Sequence, residues 1–582
     1  MIATDRPFVL LDDARPGSDG ARLFADPCEI IRADTPEEVA PALARLRAAQ
    51  AEELHAAGYM AFEAGHALEP RLAPLARPGK LLWFGLFGAP RHMSADELAA
   101  QLPDPASAWA GAPKPLIDRH EYAAAFDKVQ AYIAAGDIYQ ANLTYRAEVP
   151  CFGPPLALYA RLRAHALSGW GGVVFDGEDW LVSLSPELFF TLEDGHITVR
   201  PMKGTATRLP DPAADAKAAE QLAADPKQRA ENLMIVDLLR NDLSRVAVPG
   251  SVRVTQAFAV ETYPTVHQMT STIEARLADG HDAVDLIAKL FPCGSVTGAP
   301  KIRAIEIIEE VERLARGPYT GSIGWLGPQG SAGFNVAIRT LSIGSGRKSA
   351  ILGLGSGIVA DSEREAEWRE CMAKGEFVAM ASRPFDLIET MHFDAIEGFM
   401  DLDRHMARMK SSADALGFHF NRHDCRNDLQ AATFRLADSA KIRLLLARSG
   451  ALAIEVRPLP ETPTEAVNVK IVPLPTSRDD FRLQHKTSDR VFLDEARHAA
   501  GTFEVVFVDQ DGYLTEGSFT NIFVERDGVL RTPLIGALMP GVLRARLLDE
   551  GKAVEAALKP EDLADGFFIG NALRGLMPAR LI

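Results

Sequence analysis

The hydrophobic pattern of this chain runs through a long series of strands and helices and then starts afresh near Ser382-Arg383-Pro384, so one core cannot hold it. Its 582 residues point the same way, because single cores stop growing at about 250–300 residues. The break divides the chain into residues 1–383 and 384–582.

Before the break, residues 172–203 read as antiparallel strands. The runs GVVF, WLVSLS, LFFTL and HITVR are separated by Asp176-Gly177 and Asp194-Gly195, which suit the positive backbone angles of hairpin turns. A helix follows, with Asp225 as its cap, Pro226 in the first turn and Leu233, Val236, Leu239 and Leu243 as its apolar stripe. A second helix opens at Lys301 (KIRAIEIIEEVERL), and a third runs from about Ser362 to Lys374. After the break, a strand (FDLIETMHFD) leads to a helix (DRHMARMKSSADALGF), and residues 503–533 read as strands turned at Asp511-Gly512 and Asp527-Gly528.

Several function classes drop out. No apolar run approaches the roughly eighteen residues of a membrane span. The start of the chain lacks the basic region of a secretory signal. Cys28, Cys151, Cys293, Cys371 and Cys425 are scattered, with no Cys-x-x-Cys pair, so a disulfide framework or zinc site is not expected and a cytoplasmic setting is. The net charge of −17 has no basic block to offset it, which argues against nucleic acid and anionic membrane partners. An anionic substrate would need local cations or a metal.

Four segments before the break carry candidate chemistry. PMKGTATR (201–208) puts Lys203 in a turn at a strand end, and FPCGSVTGAPK (291–301) is a glycine-rich loop feeding a helix N-terminus, which favours a carboxylate. GLGSGIVADS (353–362) reads as a second glycine turn, and Glu367 and Glu370 share a face of the helix behind it. Taken singly, each has an ordinary reading. Lys203 could be a solvated charge, Glu367 and Glu370 helix-surface partners of Arg364 and Lys374, Glu231 a first-turn acid, and the glycine loops plain turns. Lys486 could belong to a basic loop and Glu516 to a hairpin.

Residues 1–383 resemble the chorismate-binding enzymes, a family that includes anthranilate, isochorismate, salicylate and aminodeoxychorismate synthases. The resemblance rests on GDIYQANLT, SPELF, PMKGT, RAENLMIVDLLRND, GSVTGAPK, FNVAIRT and GIVADSEREAEWRE, in that order between residues 136 and 370. It implies Mg²⁺ held by Glu231 and Glu370, with Glu367 close by, and substrate contacts from Thr297, Tyr319, Arg339, the backbone at Gly355, and Lys374. Anthranilate synthases resemble this sequence but carry alanine where Lys203 stands. In the aminodeoxychorismate branch the resemblance makes Lys203 a nucleophile toward the ring, Glu187 a general acid/base, and His267 a neighbour of the departing group. Gln228 stands where many relatives carry an acid. Ammonia would come from a separate glutamine amidotransferase, since none of the cysteines sits in a Gly-x-Cys-x-Gly elbow.

Residues 384–582 resemble the class IV aminotransferase group of pyridoxal-phosphate enzymes, through LIETM, DRHMARMKSSADALGF, HKTSDR, LTEGSFTNIFV, LMPGVLR and NALRGLMPA. HKTSDR and NALRG look most like the aminodeoxychorismate lyases. The resemblance makes Lys486 the lysine that bonds to the cofactor aldehyde, Glu516 the partner of the pyridine nitrogen, and Arg408 with the Gly541-Val542-Leu543 turn the phosphate site. A homodimer through this half is the family habit.

Together the resemblances imply an α/β (α+β) protein. Its front would have large antiparallel sheets with flanking helices, and its back a fold-type IV pyridoxal-phosphate domain. They imply a two-step route from chorismate to 4-aminobenzoate for folate biosynthesis. The rival readings are an anthranilate-type synthase fused to a class IV transaminase, and a non-catalytic descendant that only binds these ligands.

Overall fold

The computed structural model describes residues 2–263, 266–380, 384–536 and 538–582. Ser382 and Arg383, where the sequence pattern breaks, lie outside the described residues. The chain divides into two compact units. One comprises Met1–Pro105, Ala112–Cys151 and Pro155–Ala381, the other Ala106–Gly111, Phe152–Pro154 and Ser382–Ile582. The two early excursions into the second unit escape a single cut in the sequence. Trp109 is buried in that unit's core with Phe385, Leu387 and Phe418, and Phe152 meets the His485 ring edge-on at 5.5 Å.

The first unit is built on two large antiparallel sheets. One runs in the order Gln140–Phe152, Ser349–Ile358, Thr340–Ile343, Trp180–Ser183, Gly171–Phe175, Phe8–Asp12. The other includes Met202–Thr207, Val266–Arg276, His196–Arg200, Leu188–Glu193, Ala332–Asn335 and Ser322–Leu326. Val9, Phe24 and Val174 of the first sheet share a buried cluster with Tyr59, Trp83 and Ile323 of the second. A larger core lies between the second sheet and the helices Pro36–Ala51, Pro226–Leu243 and Ala283–Leu290, where Leu46, Phe189, Ile235, Leu239 and Leu286 are buried. Burying each such side chain contributes about 1.5–3 kcal/mol.

The local signals of the sequence translate directly. Asp194 (φ 50°) and Gly195 (φ 76°) take the two positive angles of a tight hairpin between Leu188–Glu193 and His196–Arg200. Asp225 caps the Pro226–Leu243 helix by accepting from the Lys227 and Gln228 amides. Three expectations change. Leu233 is 49% exposed, and the buried stripe of its helix is Asn232, Ile235, Val236, Leu239, Asp242 and Leu243. The helix opened by Lys301 stops at Val311, and the next one starts at Arg364. The glycines of 353–357 form no turn, because they lie inside the ten-residue strand Ser349–Ile358.

The second unit pairs a small sheet, Gly398–Phe399, Leu387–Asp394, Ala440–Leu446 and Leu452–Pro458, with a larger mixed one. Helix Leu402–Leu416 packs Met406, Met409 and Leu416 on Met391, Ile442 and Leu444 of the small sheet, and ends at Gly417 (φ 70°). In the larger sheet Val467–Pro473 runs parallel to Glu504–Val508 and to Gly575–Leu581. The Leu514–Gly517 strand returns antiparallel after Asp511-Gly512.

Candidate active sites

Lys203 sits in the strand Met202–Thr207 and not in the turn that its neighbours suggest. Pairing with Val266–Arg276 slips between Met202 (opposite Thr270) and Thr205 (opposite Gln268), with Gly204 at φ 101°. This bulge re-aims the lysine. The Asn232 amide donates to the Lys203 carbonyl at 3.4 Å, and the Gln228 carboxamide lies beside Gly204.

The lysine reaches across to the glycine strand. Gly353, Gly355 and Gly357 alternate, so they bare one face of it. A Cβ on Gly357 would stand 2.5 Å from Lys203 Nζ and 2.9 Å from Gln140 Nε2, and one on Gly353 would fall 2.1 Å from the Tyr319 ring. Lys374 Nζ donates to the Gly355 carbonyl at 2.9 Å and pairs with Glu370 at 2.7 Å. Gly353 and Gly357 therefore form a floor under Tyr319 and Lys203, and Gly355 between them offers its carbonyl to Lys374.

Carboxylates surround these amines. Lys203 Nζ is 3.6 Å from Glu231 Oε2. Burial pushes the Glu187 carboxyl up to about 7 against the opposing pull of the Ser295 hydroxyl, the Met202 amide, Lys203 and Lys374. Its Oε1 is buried without a hydrogen-bond partner. Burial would also raise Glu370, but Lys374, Lys203 and Lys227 outweigh it and hold that carboxyl below its ordinary range. Both amide atoms of fully buried Gln140 lack partners as well. Buried polar atoms left open beside a lysine mark where a polar ligand fits.

The other expected residues are less uniform. Arg339, at φ 50°, has no described carboxylate within salt-bridge reach, and burial lowers its guanidinium against the counter-pull of Tyr263. Thr297 spends its hydroxyl on the carbonyls of Cys293 and Gly294, so it braces its loop. His267 has both ring nitrogens engaged, by Asp215 at 3.0 Å and Thr262 at 3.0 Å, which ties it away from Lys203 and Glu187. Glu231 lies in the second turn of its helix, beyond a first-turn role.

No three acidic or other ligating side chains gather at metal-binding separation among the described residues. Glu367 accepts from Ser362 at 2.7 Å, and Glu370 pairs with Lys374, as the ordinary helix-surface reading has it. The three glutamates share cationic neighbours, since Lys227 feels both Glu231 and Glu367, and Glu370 feels Lys203 and Lys227. An oxygen-only set of this kind suits Mg²⁺, which uses one or two carboxylates and completes its shell with water and substrate.

The second unit holds a cavity of about 620 Å³ lined by Arg408, Lys486, Glu516, Gly541 and Val542 among others. Burial, then the nearby Arg408 charge, brings the Lys486 amine down to about 7, with Glu389 opposing. Burial pushes Glu516 up to about 7 against Arg490 and the Met539 amide, and its Oε1 has no partner. Arg408 is clamped by Glu389 (2.8 and 2.5 Å) and donates to the Pro540 carbonyl at 3.0 Å. Gly541 caps the helix Val542–Asp549, and a Cβ there would strike Asn521 Oδ1 at 1.8 Å. Leu543 turns its side chain into a core with Phe523 and Leu547, leaving only its amide for a ligand. A reactive amine, an orphaned carboxyl and an arginine beside free helix amides fit pyridoxal phosphate.

Glu389 and His405 (2.7 Å apart) carry no role in the sequence reading. An acid inside the apolar strand LIETM was the available signal. Gln140 likewise lay within a recognised motif without a role.

Residues 6–380 match the family described as chorismate binding enzyme, and residues 386–582 match amino-transferase class IV. The aminodeoxychorismate synthase component 1 of Salmonella typhimurium is 46% identical over 268 residues, 46% of this chain and 58% of that protein. The anthranilate synthase component 1 of Streptomyces coelicolor is 42% identical over 257 residues, 44% of this chain and 50% of that one. This chain thus spans little more than half the length of such relatives. The structure of anthranilate synthase component I from Streptococcus pneumoniae superposes with a TM-score of 0.53 at 23% identity, covering 66% of this chain and 94% of that one, a likeness of fold.

Proposed function

The chain belongs to the chorismate binding enzyme family, and we propose that residues 1–383 aminate chorismate to 4-amino-4-deoxychorismate while residues 384–582 release pyruvate from it to give 4-aminobenzoate, a folate precursor. The observation that carries the first step is the Lys203 amine lying over Gly357, 3.6 Å from Glu231, with the buried, open carboxyl of Glu187 near enough to feel its charge.

In the first step, the Lys203 nitrogen bonds to ring C2 as the C4–oxygen bond breaks, and Glu187 gives the departing hydroxyl the proton it needs to leave as water. Ammonia then bonds to C4, the C2–nitrogen bond breaks, and the proton that the incoming nitrogen sheds returns to the enzyme. Arg339 and Lys374 hold the carboxylates, with Tyr319 and the Gly355 main chain shaping the floor. Mg²⁺, when present, would be held by Glu231 and Glu370, with Glu367 nearby, and would neutralise a substrate carboxylate. His267, tied to Asp215 and Thr262, steadies the edge from which the hydroxyl departs, and Thr297 steadies its loop. Ammonia is supplied by a separate glutamine amidotransferase, or by ammonium in vitro.

In the second step, pyridoxal phosphate, when bound, supplies an electron sink at the substrate nitrogen. Lys486, brought down to about 7 by burial and by the Arg408 charge, has a neutral fraction at pH 7 that takes the proton from C4. The enolpyruvyl oxygen leaves C3 with the electron pair of the broken bond as the ring becomes aromatic, and a proton equivalent to the one Lys486 removed from C4 completes pyruvate. Glu516 holds the proton on the pyridine nitrogen. Arg408 and the amides of Val542 and Leu543 hold the phosphate. A cytoplasmic enzyme, dimeric through the second unit, fits this reading.

The test is product identity. The full chain, given chorismate, ammonium, Mg²⁺ and pyridoxal phosphate, is expected to form 4-aminobenzoate. Formation of 2-aminobenzoate would establish the anthranilate-type alternative, and no aromatic product at all would favour a descendant that only binds.

A further inference from the structure

The cavity around Lys486 is far more basic than its cofactor requires, although the chain as a whole carries −17. Its lining includes the cations Arg408, Lys441, Arg443, Lys486, Arg490, Arg497 and Arg574, against the acids Asp494 and Glu516. Four of these cations are accounted for. Arg408 is clamped by Glu389, Arg497 pairs with Asp494 at 3.1 Å, Arg490 faces Glu516, and Lys486 is the reactive amine. Lys441, Arg443 and Arg574 have no described carboxylate within salt-bridge reach. The acid that Lys441 feels is Glu455, which is itself 3.2 Å from Arg457.

Two of these share a strand face, and Arg574 joins them in the cavity lining. Lys441 and Arg443 are two apart on the strand Ala440–Leu446, so both point to the same side, with Thr390, another lining residue, opposite Arg443. Arg574 is positioned by its main chain, which donates to Asn571 Oδ1 at 3.0 Å, and its Nε is buried without a partner. Its guanidinium lies 5.8 Å from the Phe519 ring. Burial first, and then the charges of Arg574 and Arg443, disfavour the charged form of Lys441, which is unfavourable until an anion arrives.

We infer that Lys441, Arg443 and Arg574 form the seat for a dicarboxylate substrate, binding the two carboxylates of a ring whose amine is presented to Lys486. One carboxylate would leave most of this charge uncompensated, whereas a dianion meets it. The seat then makes the second unit selective for a cyclic dicarboxylate amine over an ordinary amino acid with a single carboxylate. This rests on the lyase reading above for the amine chemistry, but the anion seat can be tested separately.

The experiment uses the full chain loaded with pyridoxal phosphate, as wild type and as Lys441→Gln, Arg443→Gln and Arg574→Gln, with the cofactor absorption band as the check on folding. With added 4-amino-4-deoxychorismate, each variant is expected to raise KM by about ten- to hundredfold while kcat stays within about threefold. Calorimetric titration with benzene-1,3-dicarboxylate is expected to show a site in the wild type that the variants lose and that benzoate fills at least about tenfold more weakly. Unchanged KM and unchanged dicarboxylate binding in all three variants would overturn the inference, as would benzoate binding equal to that of the dicarboxylate. A wild type that does not turn over the added substrate, yet binds the dicarboxylate through these residues, would sink the lyase reading and leave the seat standing.

Discussion

At the scale of single residues, environment separates otherwise similar groups. Glu187 is buried with one oxygen open and keeps its proton up to about pH 7, so it can act as an acid where an exposed carboxyl could not. Synthase turnover, referred to the concentration of neutral ammonia, is therefore expected to fall as pH rises through about 7. Glu187→Gln should lower kcat by roughly 10²-fold or more and remove that limb. An unchanged pH profile in the variant would assign the limb to another group. Most of the residues at both sites were legible in the sequence through their motifs. The partners that give them their character were not. Glu389 acts on Arg408 from nineteen positions away and Glu187 is tuned by burial, neither of which a one-dimensional pattern records.

At the scale of elements, hairpins and helix caps could be read because their chemistry is local. Asp194-Gly195 and Asp225 dictate their geometry by themselves. Asp225→Ala should cost the first unit about 1 kcal/mol, read as a lower midpoint in its thermal or denaturant transition. The glycine strand is not legible in the sequence because glycine looks alike in a turn and in a strand that must stay bare. What distinguishes the cases is the Tyr319 ring and the Lys203 amine arriving from distant parts of the chain. The two glycines should therefore fail differently. Gly353→Ala drives a methyl into a ring and should destabilise by about 1–3 kcal/mol. Gly357→Ala meets two side-chain ends, the Lys203 amine at 2.5 Å and the buried Gln140 carboxamide at 2.9 Å, and no backbone, so the fold should hold while synthase activity drops by roughly tenfold or more and lyase activity persists. Equal loss of both activities in Gly357→Ala would argue against the floor.

At the scale of the whole molecule, two units carry two candidate sites, each proposed to centre on one lysine amine, and the proposed product of the first is the proposed substrate of the second. The break in pattern near residue 384 is the sequence's own signal for a division. The excursions at 106–111 and 152–154 were hidden, because only folding shows that Trp109 and Phe152 join the later core. If each site works with its own amine, defects in the two must complement each other. The measurement is 4-aminobenzoate formed from chorismate and ammonium by Lys203→Ala, by Lys486→Ala, and by the two mixed. Each variant alone is expected to make none, with 4-amino-4-deoxychorismate building up only in Lys486→Ala, and the mixture is expected to restore the product. Wild-type output from either variant alone, or a Lys203→Ala chain that cannot aromatise added 4-amino-4-deoxychorismate, would contradict it.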